Sequence, residues 1–169
     1  MAELKEKAIA ELSFNPFTLI GKEWMLITAG DEKKYNTMTA SWGGVGVLWG
    51  KDVSFAVIRP QRYTLEFVDQ QEYYSLSFYG EDNKKALAYC GAHSGRDVDK
   101  AKETGLTPVF DSQAPYFQEA KLVLICRKLH RQQIDPACMI DKEADAKWYP
   151  DKDYHYAFVG EIVKVLARD

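Results

Sequence analysis

Two arginines bracket a short turn in Arg59-Pro60-Gln61-Arg62-Tyr63-Thr64. Guanidinium groups present forked donors that suit the oxygens of a phosphate. Pro60 biases Arg59 toward extended backbone, so the apolar run ending at Ile58 passes straight into the turn. Thr64 is a fair N-cap for a helix over residues 64–71. A helix start adds free N–H groups and a partial positive charge. Arg59, Arg62 and Thr64 are therefore candidates to hold a phosphate. Surface ion pairs with Asp52, Glu66 or Asp69 are the plainer account of the same arginines.

A second group is Asn36-Thr37-Met38-Thr39-Ala40-Ser41-Trp42-Gly43-Gly44. On a strand, Thr37, Thr39 and Ser41 share one face, followed by an indole and a flexible backbone. A flavin ring needs hydrogen bonds along its pyrimidine edge and apolar contact on its faces, and this segment could supply both. A strand with a wet hydroxyl face is the alternative. A third group, His93-Ser94-Gly95-Arg96-Asp97-Val98-Asp99-Lys100, is a polar loop with donors on Ser94, Arg96 and Lys100. Cys90 with His93, and Cys126 with His130, hint at zinc, but the spacings differ and the second pair falls on a strand pattern, too far apart for easy chelation. No metal site is expected. Gly44-Val45-Gly46-Val47-Leu48-Trp49 lacks the third glycine and the following helix of a dinucleotide fingerprint. No nucleophile elbow, paired-histidine helix or P-loop is present.

The elements that must position these groups are mostly strands. Residues 24–28, 38–42, 54–58, 74–78, 122–129 and 158–166 read as strands, with Gly160 a bulge or bend. Residues 43–50 read as a glycine-rich separator and 31–34 as a polar turn. Short helices are expected over 64–71, 81–92 and 97–103, the last closed by Gly105, and residues 3–12 read as a short helix or a frayed leader. Strands and helices do not alternate, which excludes a parallel α/β fold. A mainly β chain with short helices, an antiparallel barrel of Greek-key type, fits better.

The 169 residues suit one domain, 1–169. Ten Tyr, eight Phe and four Trp favour sheets and planar ligands. The net charge is −3 and no basic stripe runs along the chain, so a nucleic-acid partner is not expected. Arg127-Lys128-Leu129-His130-Arg131 reads as the wet side of a strand. No apolar run could span a bilayer, and the N-terminal residues lack the apolar stretch of a signal peptide. Three cysteines, an odd and sparse count, suit a reducing cytoplasm.

Taken together, Asn36 to Gly44, Leu48-Trp49-Gly50-Lys51, Ile58 to Thr64, Cys90 to Lys100 and Tyr154-His155-Tyr156-Ala157-Phe158-Val159-Gly160-Glu161-Ile162 resemble the flavin reductase-like family, close to flavoredoxins. The resemblance runs from about Trp24 to Val165. It implies an FMN-binding split β-barrel and a homodimer with the flavin near the subunit boundary. It implies that Asn36, Thr37, Met38, Thr39, Ala40, Ser41 and Trp42 run along the flavin. Arg59, Arg62, Tyr63 and Thr64 would hold its phosphate, and Ser94, Gly95, Arg96 and Lys100 would close over ribityl and phosphate. His155 would lie where a nicotinamide stacks and orient it. The implied activity is NAD(P)H:flavin oxidoreductase; the alternatives are a flavoredoxin-like FMN carrier reduced by a protein partner and a barrel that has lost its cofactor. One departure stands out. Many such reductases carry Gly-Asp-His before the last strand, and Asp153-Tyr154-His155 puts a tyrosine where it could narrow the nicotinamide side.

Overall fold

The computed structural model describes residues 3–168; Met1, Ala2 and Asp169 lie outside them. Its strands are β1 (Lys5–Glu6), β2 (Met25–Gly30), β3 (Tyr35–Ala40), β4 (Gly43–Leu48), β5 (Lys51–Ile58), β6 (Tyr73–Phe78), β7 (Pro108–Val109), β8 (Tyr116–Phe117), β9 (Leu122–Gln133) and β10 (Tyr156–Ala167). The helices are α1 (Pro16–Thr18), α2 (Thr64–Gln70), α3 (Lys84–Ala92), α4 (Lys100–Thr104) and α5 (Lys142–Trp148). All but β7 and β8 join one antiparallel sheet in the order β3-β2-β6-β9-β10-β5-β4, with β1 added on β10.

The two end strands of that order, β3 and β4, are consecutive in the chain and joined only by Ser41 and Trp42. The three Cα steps from Ala40 to Gly43 reach at most about 11 Å. The sheet must therefore curl until its two edges nearly meet, which makes it a barrel. Gly43 permits the joint. Its φ is +136°, and a Cβ there would lie 2.4 Å from the Phe55 carbonyl oxygen.

Period-two alternation sorts the side chains of the inner strands. Met25, Ile27, Tyr74, Leu76, Phe78 and Phe158 fill the barrel. Leu26, Val123 and Ile125 point the other way and are covered by Leu87 and Cys90 of α3 and by Phe117 of the β7–β8 hairpin. Both faces of β2 are thus buried, and its sequence reads as a continuous apolar run.

Several expectations need correction. Residues 3–12 are not a helix: β1 pairs with β10, and a single 3-10 turn follows at Ile9–Glu11. Residues 43–50 are not a separator but mostly the strand β4, which pairs with β5 through Gly44 and Gly46. Trp24 precedes β2 rather than opening it, at φ +72°. The third helix is the shorter α4, and α5 was not foreseen. The bulge at Gly160 is present as a register shift against β9 between Val159 and Gly160, and Gly105 closes α4 in a left-handed conformation.

Replacing Gly43 with Ala should destabilise the chain by ~2 kcal/mol or more in urea unfolding, because the site is strained in both φ and space. Gly44→Ala, whose Cβ would sit 4.0 Å from the Phe55 ring, is the matched control and should change stability little.

Candidate functional site

Lys100 opens α4 behind an Asp99 N-cap and is buried. Its Nζ donates to the Thr37 carbonyl and to the Cys90 carbonyl, both at 2.7 Å. Thr37 lies on β3 and Cys90 near the end of α3, so one ammonium ties the barrel's edge strand to the helix beside it. Arg62 does the same one step along, donating to the Gly91 carbonyl at 2.8 Å and the Thr39 carbonyl at 3.4 Å. Among the described residues, no carboxylate pairs with either cation. Burial disfavours their charged forms. It pushes Lys100 down to about 8, with Arg62 adding to the fall and the Cys90 thiol opposing it. Burial also lowers Arg62, helped by Arg59.

A cavity of about 180 Å3 lies between these two side chains, lined by Asn36, Met38, Gln61, Arg62, Tyr63, Thr64, Ala92, His93, Ser94, Gly95 and Lys100. It adjoins a cleft of about 400 Å3 lined by Met38, Thr39, Ala40, Ser41, Trp42, Val57, Arg59, Gln61, Arg62, Trp148 and His155. Met38, Gln61 and Arg62 belong to both. The floor of the small cavity is a close contact. A Cβ on Gly95 would fall 1.9 Å from Asn36 Oδ1, and Asn36 Nδ2 in turn donates to Thr64 Oγ1 at 2.8 Å.

The wide cleft is aromatic at its mouth. Trp42 meets Trp148 edge-on with centroids 4.9 Å apart and lies 5.3 Å from the His155 ring. Burial pushes the His155 imidazole down to about 4, with Arg59 adding to the shift. The ring is therefore neutral across the physiological range. Arg59 is held in a network of its own. It donates to Asp153 Oδ2 at 2.7 Å and to the Trp148 carbonyl at 2.8 Å, and its guanidinium lies 5.2 Å above the Tyr149 ring. Gln61 donates to the same Asp153 oxygen.

The structure thus brings together most of the residues singled out in the sequence, with five differences of role. Arg59 lines the wide cleft rather than the small cavity and is spent on Asp153. Thr64 is not an N-cap: Tyr63 holds that position without a side-chain bond, and the Thr64 hydroxyl accepts from Asn36. The hydroxyls of Thr37 and Thr39 are taken up inside the fold, by Thr28 and by the Leu87 carbonyl, so they form no free edge for a ring. Thr37 lines neither space. Arg96 also lies outside both; it pairs with Glu66 and its guanidinium sits 4.3 Å above the Tyr63 ring. Tyr154 does not narrow the cleft, because it is buried and its hydroxyl donates to Asp145. Trp148 is the residue that narrows it, together with Gln61 and Val57, none of which was picked out as a site residue. Asp141 caps α5 through the amides of Glu143 and Ala144. That cap, followed by good helix formers, was the available clue to the helix that carries Trp148.

A model described as a flavin reductase like domain matches residues 18–169. The chain belongs to the flavin reductase-like family. As a family member it also shares its fold with solved structures. Flavoredoxin from Methanosarcina acetivorans is 23% identical with a TM-score of 0.70, over 98% of this chain and 76% of that one. An FMN-binding domain of a flavin reductases-like enzyme from Shewanella baltica is 15% identical with a TM-score of 0.70, over 99% and 78%. An NADH:FAD oxidoreductase of Streptomyces globisporus is 17% identical with a TM-score of 0.64, over 87% and 75%. A putative flavin reductase from Shewanella frigidimarina, TM-score 0.69, is described by its split barrel domain, which is the architecture seen here. No curated protein sequence matches the chain.

The buried, neutral His155 carries a cost in acid. The unfolded chain takes up this proton near its ordinary 6.5 and the folded chain only at about 4. The unfolded state binds more protons in that window, so stability falls as the pH drops through it, by up to ~3 kcal/mol. Urea unfolding from pH 7 to 4.5 should show a shallower decline for His155→Gln than for the wild type.

Proposed function

We propose that this chain binds FMN, with the phosphate in the small cavity and the ring in the wide cleft, and uses it to accept electrons from NAD(P)H. One observation carries the reading: two cations, Lys100 and Arg62, flank the small cavity without a carboxylate. Burying unpaired charge is costly, and a phosphate between them supplies the missing counter-charge. Thr64 and Ser94 line the same space, and the Gly95 backbone packs against Asn36 there with no room for a side chain. The wide cleft falls in the size range of small-molecule sites, with Trp42 and Trp148 to shield a planar ring from water. When bound, the flavin supplies hydride acceptance at N5 from a reduced nicotinamide. The chain's part is to bind and orient: Lys100 and Arg62 anchor the phosphate, residues 38–42 run beside the ring, and neutral His155 faces the incoming nucleotide. Similar structures include an FMN-binding domain and an NADH:FAD oxidoreductase, which favours this reading. The three free thiols suit a reducing cytoplasm.

Lys100→Met should weaken FMN binding about tenfold or more, as for a lost charge-assisted bond, while riboflavin binding barely changes. Wild-type affinity for FMN should also fall as the pH rises through 8, because Lys100 loses its proton there unless phosphate holds it. That dependence should vanish in Lys100→Met. Equal losses for FMN and riboflavin would remove the phosphate assignment. Steady-state oxidation of NADH and NADPH with free FMN tests the donor. Rapid turnover is expected, and a yellow protein bleached only by a partner reductase would replace this reading with that of an electron carrier.

We also propose that two copies associate. Tyr149 and Tyr154 are buried within the chain and do not serve this purpose. Exposed apolar residues include Val47, Trp49 and Phe55 on and beside β4, and Trp42 and Trp148 at the cleft, and β4 is an open sheet edge. Light scattering at micromolar concentration should give about twice 19.3 kDa, and a clean monomer would refute the pairing.

A further inference from the structure

We propose that Tyr149 is a positioning residue that keeps the His155 proton on Nε2, so that the ring offers the cleft a neutral N–H donor for the carboxamide oxygen of a nicotinamide. The choice of nicotinamide rests on the function proposed above; the placement of the proton rests on the chain alone.

The Tyr149 hydroxyl lies 2.9 Å from His155 Nδ1. A phenol has one proton to give and two lone pairs to receive. If Nδ1 carried the proton, it would donate to that oxygen, and the buried Tyr149 O–H would have no acceptor among the described residues. An unmade bond of that kind is costly. The arrangement that satisfies every group has Tyr149 O–H donating to Nδ1. Burial favours keeping that phenol protonated. The proton of the neutral imidazole then sits on Nε2.

Nε2 makes no hydrogen bond within the described chain. It is also not among the enclosed side-chain atoms that lack a partner, which are Ser77 Oγ, Tyr79 OH and Asp153 Oδ1. Since His155 lines the wide cleft, Nε2 faces that space. The ring cannot easily turn away. Trp42 packs on one side at 5.3 Å and Tyr149 meets it edge-on at 5.6 Å. Tyr149 is itself gripped by the Arg59 guanidinium and by the Tyr154 ring 4.6 Å away. With Arg59 and Arg62 already lining the cleft, a neutral donor recognises an uncharged carbonyl oxygen without adding a third positive charge.

The test uses the FMN-loaded protein labelled with 15N-histidine. Long-range 1H–15N correlation spectra between pH 6 and 8 should show His155 protonated on Nε2 in the wild type, and a mixture of tautomers in Tyr149→Phe. In the same variant the KM for NADH should rise about tenfold, while FMN affinity stays within about twofold. Tyr116→Phe, of similar burial but with its hydroxyl on Asp111 outside the cleft lining, should leave the tautomer and the KM unchanged. A wild-type spectrum with the proton on Nδ1 overturns the proposal, as does an unchanged tautomer or an unchanged KM in Tyr149→Phe. A protein that oxidises no NADH overturns the function proposed above, while the tautomer spectrum still decides the role of Tyr149.

Discussion

The structure turns on a joint of two residues. Because only Ser41 and Trp42 separate β3 from β4, the sheet's first and last strands are drawn together, yet the sheet order leaves them unpaired with each other. An edge strand carries unpaired main-chain groups, and here its carbonyls have found other donors. Lys100 takes that of Thr37 and Arg62 takes that of Thr39. Two cations therefore do the work that a neighbouring strand would have done. The seam of the barrel therefore encloses two cations that, among the described residues, no carboxylate pairs, and the proposed function places an anion there.

The aromatic half of the cleft depends on a second set of contacts. Arg59 leaves the end of β5 and reaches Asp153 and the Trp148 carbonyl, so the turn before α2 is bound to the segment between α5 and β10. Tyr154 and Asp145 close the same circuit from inside. The Arg59–Asp153 ion pair is only partly exposed, where a pair is worth more than on an open surface. These contacts hold Trp148 over Trp42 and His155 beside them. An arginine that looked like a phosphate ligand in the sequence instead sets the shape of the cleft wall.

What could be read from the sequence followed from local physics. Alternation marked β6, apolar continuity marked β2 and β9, and Gly160 marked a bulge that the register confirms. β4 was missed because glycines at 43, 44 and 46 look like a linker, whereas only Gly43 is demanded by the fold, through its φ and the Phe55 carbonyl, and a Cβ at 44 or 46 would meet the Phe55 ring at ordinary contact distance. The hydroxyls of Thr37 and Thr39 were given to a ligand because their bonding inside the barrel involves residues far along the chain, Thr28 and Leu87. Thr64 was assigned a cap for a similar reason: its partner is Asn36, 28 residues away. Arg62 stood out by type and spacing. Lys100 was placed only through family resemblance, since nothing local shows that its ammonium is buried. Trp148 does not stand out as a site residue in the sequence, because the short helix α5 that turns it into the cleft is not among the expected helices.

The two walls of the cleft differ in how freely they can change. One is the joint itself, where an added residue would spread β3 from β4 and detach the carbonyls from their cations. The other is carried by residues 134–155, the connection from β9 to β10, which holds Trp148 and Tyr149 and ends at His155. Long connections cost little extra entropy when they lengthen and tolerate sequence change. A lineage of such barrels can therefore vary what enters the cleft by rewriting that connection while the anchoring side stays as it is. On the function proposed above, the fold separates retention of one ligand from choice of the other, and so offers natural variation and laboratory evolution a region to alter without loss of the scaffold.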